Sequence, residues 1–309
     1  NEPSMSPCCR RASPETRWTA ARPLGSATCL SNIVELSHAI AGCCLHGGRA
    51  HALAERSVAA VDWFSMNAGT SAAEQIRMHL QRVAHLREQA HDAGLASAVH
   101  QVKQLQARRF RATYADFLVQ PRYAEATRFF LDELYGEHDF TERDTQFGRI
   151  AGAIERMFPD AVAELAVDLA ETHALTETLD HQLATHWLAQ DSGCSEAERY
   201  VRSWRLTGER PLRDRQLSVV KHMGRELQRL TRMRSLSIAL KLMRKPAQAA
   251  GLSSLQQFLE SGFSAFASLG DAQAFLATIN EREHAWIDTL FDAAPDSCQR
   301  ALADELARA

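Results

Sequence analysis

His173, Glu177 and Asp180 fall at i, i+4 and i+7 of ETHALTETLD (171–180). Those spacings bring side chains onto one side of a helix. An imidazole with carboxylates one and two turns on can form half a metal site, hold a small molecule or haem-like cofactor, or satisfy its own hydrogen bonds. Val162, Leu165, Leu169, Leu183 and Trp187 define the apolar face, and His173, Thr176 and Asp180 project from it, with Glu177 beside it. The expectation is that these polar groups are carried inward. A satisfied hydrogen-bond network is the cheapest outcome for such groups. A ligand pocket comes second and a metal site third.

Glu283 is a further inward carboxylate, because it aligns with Phe275, Ile279, Trp286 and Leu290 at helical spacing. A buried carboxylate needs a partner, and Arg143, Arg149 or His173 are the expected ones. The candidate cofactor-binding set is therefore His173, Glu177, Asp180 and Glu283, with no metal assigned. Glu281 and His284 form the E-x-x-H spacing of di-iron bundles. Both point away from the apolar face, and Glu35–His38 and Glu88–His91 repeat the string, so it is read as chance. No G-x-S-x-G, H-E-x-x-H, G-K-[ST] loop or G-x-G-x-x-G after a strand occurs, and no catalytic residue is assigned.

Charge is sorted along the chain. Residues 125 to 198 carry seventeen acids against four bases, a net of −13, and residues 199 to 245 carry fourteen bases against three acids, a net of +11. The basic segment holds an amphipathic helix with Val220, Met223, Leu227 and Leu230 on one side and Lys221, Arg225, Arg229 and Arg232 on the other. Such a ridge can bind an anionic polymer or surface. The competing expectation is that it pairs with the acidic helices of its own chain or is solvated. No aromatics interleave it, and the whole chain carries a formal −3, which argues against nucleic acid.

The elements that must position these groups are helices. Ile76, Leu80, Val83 and Leu86 recur at helical spacing, as do Val99, Val102 and Leu105 ahead of the basic run Arg108, Arg109 and Arg111. Pro121 opens a short helix and Gly136 is expected to close it. Asp139 with Glu142 reads as a capping box. Phe147, Ile150, Ile154 and Met157 stripe the helix that follows. Pro159 breaks it and opens the next, to about Trp187 or Gln190. A short helix is expected near 195–206, then a long one to about Met243, with Pro246 and Gly251 in a loop. Leu255, Leu259, Phe263 and Phe266 stripe another helix, Asp271 caps one more, and a weak terminal helix or tail follows Pro295. No alternating strand pattern of useful length is present. The fold is expected to be all-α, a multi-helix bundle of two helical halves joined near 191–211.

FFLDELYGEHDF (129–140), Arg143–Asp144, LAETHALTETLD (169–180) and FLESGF (258–263) together resemble an uncharacterised proteobacterial helical family with an FFLxDLYG pattern. The resemblance covers about residues 70 to 295. It implies a domain of unknown function and transfers no functional residue.

Residues 1 to 65 differ from the rest, with Pro3, Pro7, Pro14 and Pro23 and no sustained helical stripe. They are expected to be a disordered or non-native leader, with a folded domain over 66–295. Cys8, Cys9, Cys29, Cys43 and Cys44 crowd this leader without the spacing of a zinc finger or disulfide framework, and a reducing cytoplasm is the expected setting. No window reaches the ~20 apolar residues of a membrane span. The leading expectation is a non-enzymatic protein acting through protein contacts or self-assembly. A ligand pocket near His173 and an anion-binding ridge are the alternatives.

Overall fold

The computed structural model describes residues 70–134, 140–190 and 193–309. They form twelve α-helices and no strand: α1 (72–92), α2 (96–113), α3 (115–119), α4 (121–129), α5 (141–157), α6 (160–189), α7 (196–207), α8 (210–231), α9 (234–249), α10 (253–269), α11 (273–292) and α12 (295–306). A single π-helical turn, Phe130–Leu134, extends α4. The leader and its cysteines, Gly136 and Asp139 lie outside the described residues. No helix among the described residues is long and apolar enough to cross a membrane.

The helix ends follow local chemistry. Ser71 caps α1 in a reciprocal box with Glu74. Ser195 Oγ accepts the Glu198 N–H (3.2 Å) at the start of α7. Pro121 and Pro295 sit in the first turns of α4 and α12, where a missing N–H costs nothing. Asp271 accepts the Gln273 N–H (3.0 Å) ahead of α11. Pro246 lies within the last turn of α9 rather than in a loop, and Gly251, with φ of 68°, makes the turn after it.

The long helix expected up to Met243 is two helices. The chain leaves α8 at Arg232, and Met233 adopts an extended backbone before α9 begins. Neither glycine nor proline marks this break. The segment expected after Pro295 as a weak helix or tail is α12, whose Cys298 and Leu302 are buried against α2 and α7.

Helix α6 is the axis of the assembly. It packs on α1, α2, α5, α7 and α8, and it buries Ala170, Ala174, Leu175, Leu179 and Leu183 on several sides. A helix enclosed in this way has no solvent face along its middle, so its polar residues must each find a partner. Around this axis three larger clusters form. One joins α2, α7, α11 and α12 to the end of α6 around Trp187, Tyr200 and Trp204. The second gathers Phe110, Tyr114, Phe117, Phe266 and Phe275. The third joins α1, α5 and α10 to the start of α6 through Ile76, Phe147, Ile154, Leu255 and Phe258.

Candidate functional site

The four candidate residues divide into two groups because α6 has neighbours on every side. His173 faces α1 and α5. Its Nε2 lies 2.9 Å from Asp144 Oδ2 and 3.3 Å from Arg87 Nη2. Arg87 Nη1 also meets Asp144 Oδ2 at 2.9 Å. Glu177, one turn on, accepts from Lys103 Nζ at 2.7 Å and lies 3.6 Å from Arg87. Burial alone would push the Asp144 and Glu177 carboxyls up. The surrounding groups outweigh it: the hydrogen bond from His173, with Arg87 and Arg143, holds Asp144 below the usual carboxylate range, and Lys103, His173 and Arg87 do the same for Glu177. This half is a compact, satisfied network.

Asp180 and Glu283 lie on the other side, on the wall of a cavity of about 80 Å³ between α2, α6, α7, α8 and α11. Glu283 is clamped by Arg109 through Nη1–Oε1 and Nη2–Oε2 contacts, both 2.8 Å, and it accepts from the Tyr114 hydroxyl at 2.7 Å. None of Arg143, Arg149 or His173 is its partner. Arg143 binds Glu133 and stacks on Phe140 and Phe258, and Arg149 donates to the Ala250 carbonyl.

Asp180 is 1% exposed. Its Oδ1 accepts from Gln106 Nε2 at 3.0 Å, and the same amide lies 3.3 Å from the Tyr200 hydroxyl. Its Oδ2 is buried with no hydrogen-bond partner among the described residues, and so is Trp204 Nε1 on the same wall. Arg213 stacks over the Trp204 ring at 4.0 Å. Burial pushes the Asp180 carboxyl up, with Glu177 adding to the effect and Lys103 and Arg213 opposing it. Burial raises the Tyr200 hydroxyl as well. The cavity thus presents an acid held toward its protonated form and an unmatched indole donor. The Arg109–Glu283 ion pair and the rings of Phe110, Phe130 and Phe275 also line it.

Helix α2 supplies what the sequence reading missed. Lys103, Gln106 and Arg109 recur every third residue along one edge and reach Glu177, Asp180 and Glu283 in turn. That polar i, i+3, i+6 line beside Val102 and Leu105 was the available signal. A haem-sized group does not fit this site. The cavity is too small for a macrocycle, and His173 Nε2 is turned to Asp144 and Arg87 rather than into it. Among the described residues no group of three or more His, Cys, Asp or Glu is arranged to hold a metal ion.

The basic ridge faces solvent. Lys221, Arg225, Arg229 and Arg232 are all exposed. Arg229 bonds Glu226 on its own helix at 2.8 Å. Lys221, Arg225 and Arg232 have no carboxylate within ion-pair distance among the described residues. The inner face of α8 does pair with acidic α6: Arg215 meets Glu171 at 2.7 and 2.8 Å, and His222 Nδ1 lies 2.5 Å from Asp168 Oδ2.

A family model described as "Domain of unknown function (DUF8198)" matches residues 85–297, more than half of the chain. The chain belongs to this family. All four candidate residues and the whole cavity wall fall inside the DUF8198 stretch, as do the segments on which the sequence resemblance rests. Most of α12, with Leu302 and Glu305, follows that stretch, yet Glu305 accepts from Thr113 of α2 at 2.6 Å. No curated protein and no solved structure matches this DUF8198 chain.

Proposed function

We propose that this protein is a ligand-binding helical bundle that holds a small polar molecule in the cavity beside Asp180. One observation carries the reading: a buried carboxylate oxygen and a buried indole N–H share a cavity wall without protein partners. Such groups are costly to leave unmatched. A molecule that pairs with Asp180 Oδ2 and accepts from Trp204 Nε1 would satisfy both. The volume, below the ~150 Å³ of an apolar cavity that takes benzene, restricts the ligand to a few heavy atoms. Candidates are small alcohols, amines and acids. Ordered water is the competing occupant.

Thermal unfolding of the full chain against a panel of such compounds tests this. A binder raises Tm, and Asp180→Asn and Trp204→Phe each weaken the rise by at least tenfold in concentration. No shift from any member, with only ordered water at Asp180 in a high-resolution crystal structure, would remove the reading.

A second reading, contact with a partner protein or a second copy, is supported by Ile238 and Leu242. They are stacked one turn apart on α9 and are 54% and 57% exposed. Light scattering across a concentration series tests self-assembly, and a monomer throughout defeats it. A cytoplasmic setting and a proteobacterial kinship belong to the same set of proposals. They rest on the cysteine usage and on the 129–140 segment respectively.

A further inference from the structure

Among the described residues a second space is larger and more apolar than the cavity at Asp180. It is a separate chamber of about 240 Å³ between α5, α6, α8, α9 and α10, with Phe158, Val162, Leu165, Leu227, Leu240 and Phe263 on its walls. The two spaces adjoin at Phe130 and Val220, which line both.

Protein interiors are normally packed to the density of organic crystals, so a space of this size calls for an occupant. Gln256 is the sole polar side chain on its walls, and its amide already donates to the Leu240 carbonyl (2.7 Å) and Glu260 Oε1 (2.8 Å). Water entering would find too few polar partners, and apolar cavities of this kind stay dry. A peptide strand would bring backbone N–H and C=O groups with nothing to pair them. What remains is hydrocarbon.

The chamber adjoins, across Phe129, Leu240 and Phe263, an open cleft of about 630 Å³ whose lining includes Ser237, Lys241, Arg244, Glu260 and Ser264. Arg244 pairs with Glu260 at 2.7 Å, and Glu125, Asp132 and Glu133 leave the acids in excess over Lys241 and Arg244, so the cleft offers hydroxyls to a polar head and disfavours an anionic one. An apolar compartment beside a polar one matches a molecule with the same division.

We infer that the chamber between α5, α6, α8, α9 and α10 binds the hydrocarbon chain of a single-chain amphiphile, whose non-anionic polar head rests in the cleft between α9 and α10. This site is independent of the Asp180 cavity in chemistry and in lining, apart from the two shared wall residues.

The test is calorimetric titration of the full-length protein with hexyl, octyl and decyl maltoside, each below its micelle-forming concentration. One molecule binds per chain, and affinity rises about fourfold per added methylene. Ala166→Phe and Ala247→Phe, on two different walls, each fill the chamber and weaken decyl maltoside binding at least tenfold. Circular dichroism checks that each variant is folded, and the chain-length series on the unaltered protein stands if one is not. Asp180→Asn leaves the titration unchanged, which separates this result from failure at the polar cavity. Equal affinity for all three chain lengths, or full binding by both folded variants, overturns the inference. So does an oligomer that excludes the maltosides because a second copy fills the chamber.

Discussion

Arg109 and Glu283 meet as a two-pronged ion pair although 174 positions separate them in the chain. The pair joins α2 to α11, and Tyr114 adds a third hydrogen bond to the same carboxylate. Their side chains are 12% and 14% exposed, so each charge depends on the other for solvation. Removing one partner is therefore worse than removing both. Glu283→Ala is expected to cost about 3 kcal/mol by leaving a buried guanidinium unmatched. Arg109→Met with Glu283→Leu should cost less than the sum of the single changes. A double-mutant cycle by urea unfolding measures this, and additive losses would show that the pair is not coupled.

The network on the opposite side of α6 makes a prediction about acid. Asp144 and Glu177 are held below their ordinary values of 3.8 and 4.5. Their folded forms release protons more readily than the unfolded chain does. The stability they contribute is therefore complete above those ordinary values and is lost as pH falls through the depressed ones. Arg87→Met removes a cation from both carboxylates. Its destabilisation should be largest near neutral pH and shrink below pH 4, read from Tm against pH. A Tm difference that stays constant from pH 7 to pH 3 would contradict the assignment.

Asp180 has the opposite sign. Its carboxyl is raised, so the folded chain holds the proton more tightly than the unfolded chain. Stability from this residue falls as pH rises from the ordinary value of 3.8 through the raised one. Asp180→Asn keeps the shape, keeps an acceptor for Gln106 and removes the titration. The variant should match the parent at low pH and exceed it in Tm at neutral pH. If the parent is the more stable at neutral pH, Asp180 is paired as a carboxylate, and the cavity reading loses its acid.

How much of this was legible in the sequence depends on range. Pro121 and Pro159 mark helix starts because a proline ring acts on its own backbone. Glu283 points inward because Phe275 and Leu290 each lie about two turns away on the same face and are buried. Its partner was not legible, since Arg143, Arg149 and Arg109 are equivalent as sequence and only the packing of α2 against α11 selects among them. The convergence of His173 with Asp180 was read from a single apolar face, and α6 has neighbours all round. The break at Met233 has no local signature. The apolar chamber had none either, because Leu165, Leu240 and Phe263 look like ordinary core residues until the helices around them leave a space between one another.

The basic ridge of α8 gives the last prediction. Lys221, Arg225 and Arg232 are exposed and form no ion pair among the described residues, although Arg232 feels the charge of Asp271, while Arg215 and His222 on the same helix are matched by α6. The outer charges are the ones an anion would meet. Exposed charges add little to stability, so replacing all three by Ala should change the unfolding free energy by no more than about 1 kcal/mol. It should nevertheless lower the salt concentration at which the protein leaves a heparin column, because each lost cation removes one released counterion from the interaction. Equal elution of parent and variant would mean that the ridge is simply solvated.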